Sequence, residues 1–199
     1  MTDAMISLIV ATALLLGSPG PAPLALAGTS ATFGVRRGLP FLFGVLTGLL
    51  AAIVGAIAGL VAIFQALPSA RIIMQVLGAA YICYVALKIA TAPIIAAADE
   101  DSSNAPRFID GFILNLLNPK AYAAFLAVFS QFLLPLSGQL AAYFFTSIVC
   151  FVVAIFVDLA WLIFGGVIGP LFQEPRQARV LRVGFAVSMV AAVLWALTR

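Results

Sequence analysis

Long apolar runs, separated by short gaps marked with charge, proline or glycine, occupy most of the chain. An α-helix rises 1.5 Å per residue, so about 20 apolar residues cross the roughly 30 Å hydrocarbon layer of a membrane. Six runs reach that length, at about 4–28, 39–64, 72–95, 108–134, 140–168 and 180–198. They predict an all-α integral membrane protein with six transmembrane helices. Two of the runs are interrupted. Gly17-Ser18-Pro19-Gly20-Pro21-Ala22-Pro23 divides the first, and Asn118-Pro119 divides the fourth. The order of a broken run, an unbroken run and a further run then occurs twice, which suggests two inverted three-helix repeats with broken first helices. Residues 1–98 form the first half, 99–107 a cytoplasmic linker and 108–199 the second half. Inverted repeats with breaks at matching places point to a transporter site near the bilayer midplane.

Composition supports this pattern. Hydrophobic residues make up 64% of the 199 and charged residues only 9%, with a mean hydropathy of +1.21. A soluble domain carries roughly 25% charged residues and could not bury so much apolar surface. A soluble enzyme, a disordered chain and a nucleic-acid binder are therefore excluded, and lipid is an obligatory partner. The net charge of +3 bears on orientation instead. Arg36 and Arg37 lie between the first two runs, Lys88 and Arg107 flank the third gap, and Arg176, Arg179 and Arg182 fill or border the fifth. By the positive-inside rule these odd-numbered loops are cytoplasmic and both termini external. Ala25-Leu26-Ala27 has the form of a signal-cleavage site, but the preceding segment carries Asp3 and no Lys or Arg, which argues that it is retained. Asp99-Glu100-Asp101 reads as a solvated linker.

The breaks carry the candidate chemistry. Proline has no N–H, so Pro19, Pro21 and Pro23 free the carbonyls of Leu15, Gly17 and Pro19, and Pro119 frees that of Asn115. Unpaired backbone in lipid costs several kcal/mol and survives only where protein or a hydrated cavity satisfies it. Gly20 and Pro21 are thus candidates to line a cradle of free carbonyls beside a half-helix N-terminus. Asn115 and Asn118, three apart, share a helix face, either as substrate contacts or as interhelical hydrogen bonds. Lys120 lies about twelve residues into its run, roughly 18 Å of rise, where a charge costs about 2.5–3.5 kcal/mol without a polar neighbour. Asp158, the one acid well inside a run, lies at a comparable depth. It would pair with Lys120 or, unpaired, take a proton.

In the third run Tyr81, Tyr84 and Lys88 fall within roughly a 60° arc, either packed in the core or lining a pathway, with Lys88 as an interfacial anchor. In the second, Gly44, Gly48, Gly55 and Gly59 share one face, a surface for close helix packing within the bundle or in a homodimer. Cys83 and Cys150 sit in apolar runs and do not suggest a disulfide. No histidine is present, and no metal site or cofactor is implied. Soft-metal export would want clustered thiolates or imidazoles, and an intramembrane enzyme is disfavoured by the missing histidine, the lack of a paired intramembrane Asp set and the absence of a GxSxG or HExxH motif.

Pro19-Gly20-Pro21, followed by Gly34, Arg36, Arg37 and Gly38, resembles the LysE/RhtB family of amino-acid exporters. So do Gly78-Ala79-Ala80-Tyr81 and, most specifically, Gly111-Phe112-Ile113-Leu114-Asn115-Leu116-Leu117-Asn118-Pro119-Lys120-Ala121. The likeness runs in order along nearly the whole chain. It implies a six-span bacterial inner-membrane exporter of amino acids or related small zwitterionic metabolites, driven by a proton or ion gradient. Export of another solute such as a metal ion, or a non-transporting membrane role, is the alternative. Many members carry Asn directly after the Gly-Pro pair, where this chain has Ala22.

Overall fold

The computed structural model describes residues 1–59, 105–169 and 175–197, with scattered positions between 73 and 91. All regular elements among the described residues are α-helices. They are α1 (Thr2–Gly17), α2 (Pro21–Phe33), α3 (Val35–Ile57), α4 (Phe108–Leu116), α5 (Pro119–Gln131), α6 (Gln139–Ile168) and α7 (Pro175–Leu197). Helices α3 and α6 are each long and apolar enough to cross a membrane, and the pairs α1–α2 and α4–α5 qualify jointly, giving two to four candidate spans. The pairs bend by 63° and 57° at their breaks, where the prolines remove helical donors. Proline at the first helical position suits both α2 and α5, since that N–H would have no intrahelical partner.

Several boundaries differ from those the pattern predicts. The gap between the first two runs is one residue, Gly34, whose φ of +83° lies in the region glycine enters without steric cost. Arg36 and Arg37 consequently sit in the first turn of α3 instead of a loop. The second run was expected to reach residue 64, but α3 is capped after Ile57. Gly59, expected on the shared glycine face, lies beyond the helix at φ +91°. Arg176, Arg179 and Arg182 lie within α7, which starts before residue 180. Charged residues are compatible with terminal helical turns, so hydropathy truncates such helices. The run at 72–95 is described only at scattered positions, and Tyr81, Lys88 and the acidic cluster at 99–101 lie outside the described residues.

Each unbroken helix packs across a broken pair: α3 along α4 and α5, α6 along α1 and α2. Glycine makes both crossings close. A Cβ on Gly44 or Gly48 would strike the carbonyl of Phe108 or Phe112 in α4, and one on Gly165 the carbonyl of Ala27 in α2. Gly44 and Gly48 are buried, so they serve the chain's own α3–α4 contact. Two apolar clusters flank the breaks. One gathers Leu26, Phe41, Val45, Leu114 and Leu162; the other gathers Leu8, Leu49, Ile53, Phe125 and Cys150. Both Cys83 and Cys150 are free thiols.

Candidate functional site

At the first break two of the three freed carbonyls have found side-chain donors. Leu15 O accepts from the Ser18 hydroxyl at 3.1 Å, and Gly17 O accepts from the Trp161 indole N–H of α6 at 3.1 Å. The carbonyl of Ser18 accepts from the Lys120 ammonium. The expected cradle of free carbonyls is therefore largely occupied by the protein's own side chains. The cost of an unpaired carbonyl in an apolar setting is the physical reason. Trp161 matters through its N–H: Trp161→Phe keeps an aromatic ring but strands Gly17 O. The expected loss is about 1–2 kcal/mol of stability, read as a lower Tm in detergent; an unchanged Tm would rule out this role.

The second break is held by two amides, both 3% exposed. Asn118 caps α5, its Oδ1 accepting from the Lys120 backbone N–H at 3.1 Å. Its Nδ2 donates to Asn115 Oδ1 at 3.3 Å, and Asn115 Nδ2 donates to Val45 O of α3 at 2.8 Å. The carbonyl freed by Pro119 accepts the Asn118 backbone N–H at 3.2 Å, while the Tyr122 hydroxyl donates to Leu116 O at 2.9 Å. The asparagines thus act as interhelical and capping groups. Each keeps unspent donor or acceptor capacity, since an amide offers two donors and two lone pairs.

The two breaks meet. Lys120, at the start of α5, reaches across to Ser18, and its stem lies over Gly20. A Cβ on Gly20 would come within 2.8 Å of Lys120 Nζ and 2.9 Å of Cδ. Gly20 is extended, at φ −173°, so its requirement is room and not an unusual backbone angle. Beside this contact lies a cavity of about 20 Å3 lined by Asn115, Asn118, Lys120 and Asp158 on its polar side. Leu16, Ala22, Pro23, Leu49, Ala121 and Ala154 form the apolar side. That volume admits one water and no amino acid. Asp158 is 6% exposed. It lines the same cavity as Lys120, while the ammonium makes its direct bond to Ser18. The expected Lys120–Asp158 pair is therefore a neighbouring pair of opposite charges, not a bonded ion pair.

Of the residues predicted from sequence, Asn115, Asn118, Lys120 and Asp158 line the cavity together. Gly20 and Pro21 are buried and Pro119 heads α5, but none of the three is among the cavity-lining residues. Tyr84 is 52% exposed and is not among the cavity-lining residues; helical spacing grouped it with Tyr81 but did not fix which way the face points. Sequence reasoning missed Ser18 as acceptor, Trp161 and Tyr122 as carbonyl donors, and Leu49 and Ala154 as wall. The one available signal was spacing: Trp161 stands three residues from Asp158, hence on a similar face of α6.

Residues 13–198 match a family model described as LysE type translocator. The homoserine/homoserine lactone efflux proteins of Salmonella typhimurium strain LT2 and of Salmonella typhi are each 28% identical over 180 residues, covering 89% of this chain and 87% of the relative. An uncharacterized membrane protein of Pseudomonas aeruginosa is 28% identical over 199 residues, covering 88% of this chain and 89% of its own. No solved structure matches the chain significantly.

Proposed function

The chain belongs to the LysE family of translocators, transporters and not enzymes, and from that premise we propose that it exports an amino acid or a related small zwitterionic metabolite from the cytoplasm. The observation that carries this reading is the junction of the two breaks, where an ammonium, a carboxyl and two amides line one small cavity. A zwitterion presents the complementary pair of charges. Its carboxylate would replace the Ser18 carbonyl on Lys120, close to the N-terminus of α5, where helix dipoles favour anions. Its ammonium would face Asp158. Asp158 would also exchange a proton during the cycle, linking export to a gradient.

The cavity is too small for such a substrate, so binding requires the halves to part. In this reading the bent pairs α1–α2 and α4–α5 are the first and fourth of six spans, and residues 1–98 and 108–199 are inverted three-helix halves joined by a cytoplasmic linker at 99–107. The similar bends at 63° and 57° support it, as does the packing of each unbroken helix on a broken pair. Alternating access is a rocking of one half against the other. The distribution of basic residues supports an orientation with both termini external, and the apolar helices fit a bacterial inner membrane. Among the described residues no three His, Cys, Asp or Glu side chains gather, so nothing among them favours metal-ion export.

The test is counterflow into proteoliposomes preloaded with single amino acids, homoserine included because of the relatives' names. Uptake of label driven by internal amino acid is expected. A correctly inserted protein that moves none of a broad panel would end the exporter reading.

A further inference from the structure

The charges around the cavity bear on which zwitterion fits. Among its described lining residues only Lys120 and Asp158 are charged, one of each sign. A substrate's ammonium and carboxylate use both. The amides of Asn115 and Asn118 are neutral and already engaged with Val45, with each other and with the α5 cap. The remaining wall is apolar, formed by Leu16, Ala22, Pro23, Leu49, Ala121 and Ala154. A third charge, carried by a substrate's side chain, would find no counter-charge among these described residues, and an unpaired buried charge is among the costliest arrangements in a low-dielectric site.

We propose that this cavity selects amino acids with uncharged side chains and rejects cationic and anionic ones, and that Ala22 is a specificity-determining position. The proposal rests on the exporter reading above. Ala22 is suited to the role by position: it is 5% exposed, lines the cavity and stands in the first turn of α2 just after Pro21. A carboxylate introduced there meets the positive end of the helix, where acids are favourable. It would add the counter-charge that a cationic side chain lacks. Ala22→Asp is thus a gain-of-specificity change that the local backbone tolerates.

The experiment is counterflow in proteoliposomes with alanine, valine, threonine, lysine and glutamate, each at equal concentration. For the wild type, the uncharged amino acids are expected to exchange on the order of a hundredfold faster than lysine or glutamate, the scale of an unpaired buried charge. For Ala22→Asp, the lysine-to-valine ratio should rise at least about tenfold. Wild-type exchange of lysine or glutamate at a rate close to that of valine would overturn the proposal while leaving amino-acid export intact. So would an Ala22→Asp protein that still exchanges valine with an unchanged ratio. Absence of exchange with every amino acid would instead overturn the exporter reading, and this proposal with it. If Ala22→Asp fails to insert, the wild-type ratios alone decide.

Discussion

Lys120→Ala is expected to reduce amino-acid counterflow by at least about a hundredfold, because a bound carboxylate would lose its only cationic partner among the cavity-lining residues. Asp158→Asn should cost a comparable amount at the ammonium end. Lys120→Arg is not expected to rescue. The lysine stem passes over Gly20 with no space for a Cβ there, and a planar guanidinium is wider and differently hydrated than an ammonium. Gly20→Ala supplies an internal check. Its Cβ collides with the flexible end of a side chain and not with backbone, so the fold should persist while the lysine is pushed from the Ser18 carbonyl. A milder loss, about tenfold, is expected from such a displacement. Circular dichroism should report unchanged helicity in all four variants, which separates lost transport from lost structure. Normal exchange by both Lys120→Ala and Asp158→Asn across the panel would remove these residues from the mechanism.

What the sequence revealed depended on whether a residue's physics is local. Proline's missing N–H acts within four residues, so both breaks were visible at Pro19, Pro21, Pro23 and Pro119 before any fold was known. The cost of burying charge is also local, which marked Lys120 and Asp158 as residues needing polar company. The identity of that company is not local. Trp161 donates to Gly17 and Lys120 to Ser18 across 144 and 102 residues of chain, and no spacing rule anticipates either pairing. Periodicity correctly put Gly44 and Gly48 on a single face yet could not tell whether α4 or a second copy covers it. It failed for Gly59, because the helix ends before that residue and a pattern extends past a cap unnoticed. The same blindness to caps shortened α3 at its start, where Arg36 and Arg37 belong to the helix. Tyr84 shows the converse: a shared face was legible, but its direction depends on neighbours.

The largest effect on stability is expected at Gly44. A Cβ there would fall on the Phe108 carbonyl and lie 2.8 Å from Phe108 C and 2.9 Å from Phe112 N. The reciprocal contact is as tight, since a Cβ on Gly111 would approach Val45 N to 2.8 Å. Backbone atoms within two helices cannot turn aside as a side chain can, so Gly44→Ala must drive α3 and α4 apart. Overpacking of this kind costs about 1–3 kcal/mol. Separation would also stretch the 2.8 Å bond from Asn115 to Val45 O, adding about 1 kcal/mol or more for a stranded buried amide. A total of about 2–4 kcal/mol should appear as a drop of several degrees in Tm in detergent. Gly184→Ala in α7 is the matched control. Among the described residues its Cβ meets nothing within 4 Å, and alanine's higher helix propensity should leave stability equal or slightly raised. The two substitutions add the same methyl group, so a large difference between them can only come from what surrounds it. Equal melting of Gly44→Ala and the wild type would mean that α3 and α4 do not touch backbone to backbone. The rigid support holding Asn115 and Asn118 at the cavity would then have to be sought elsewhere.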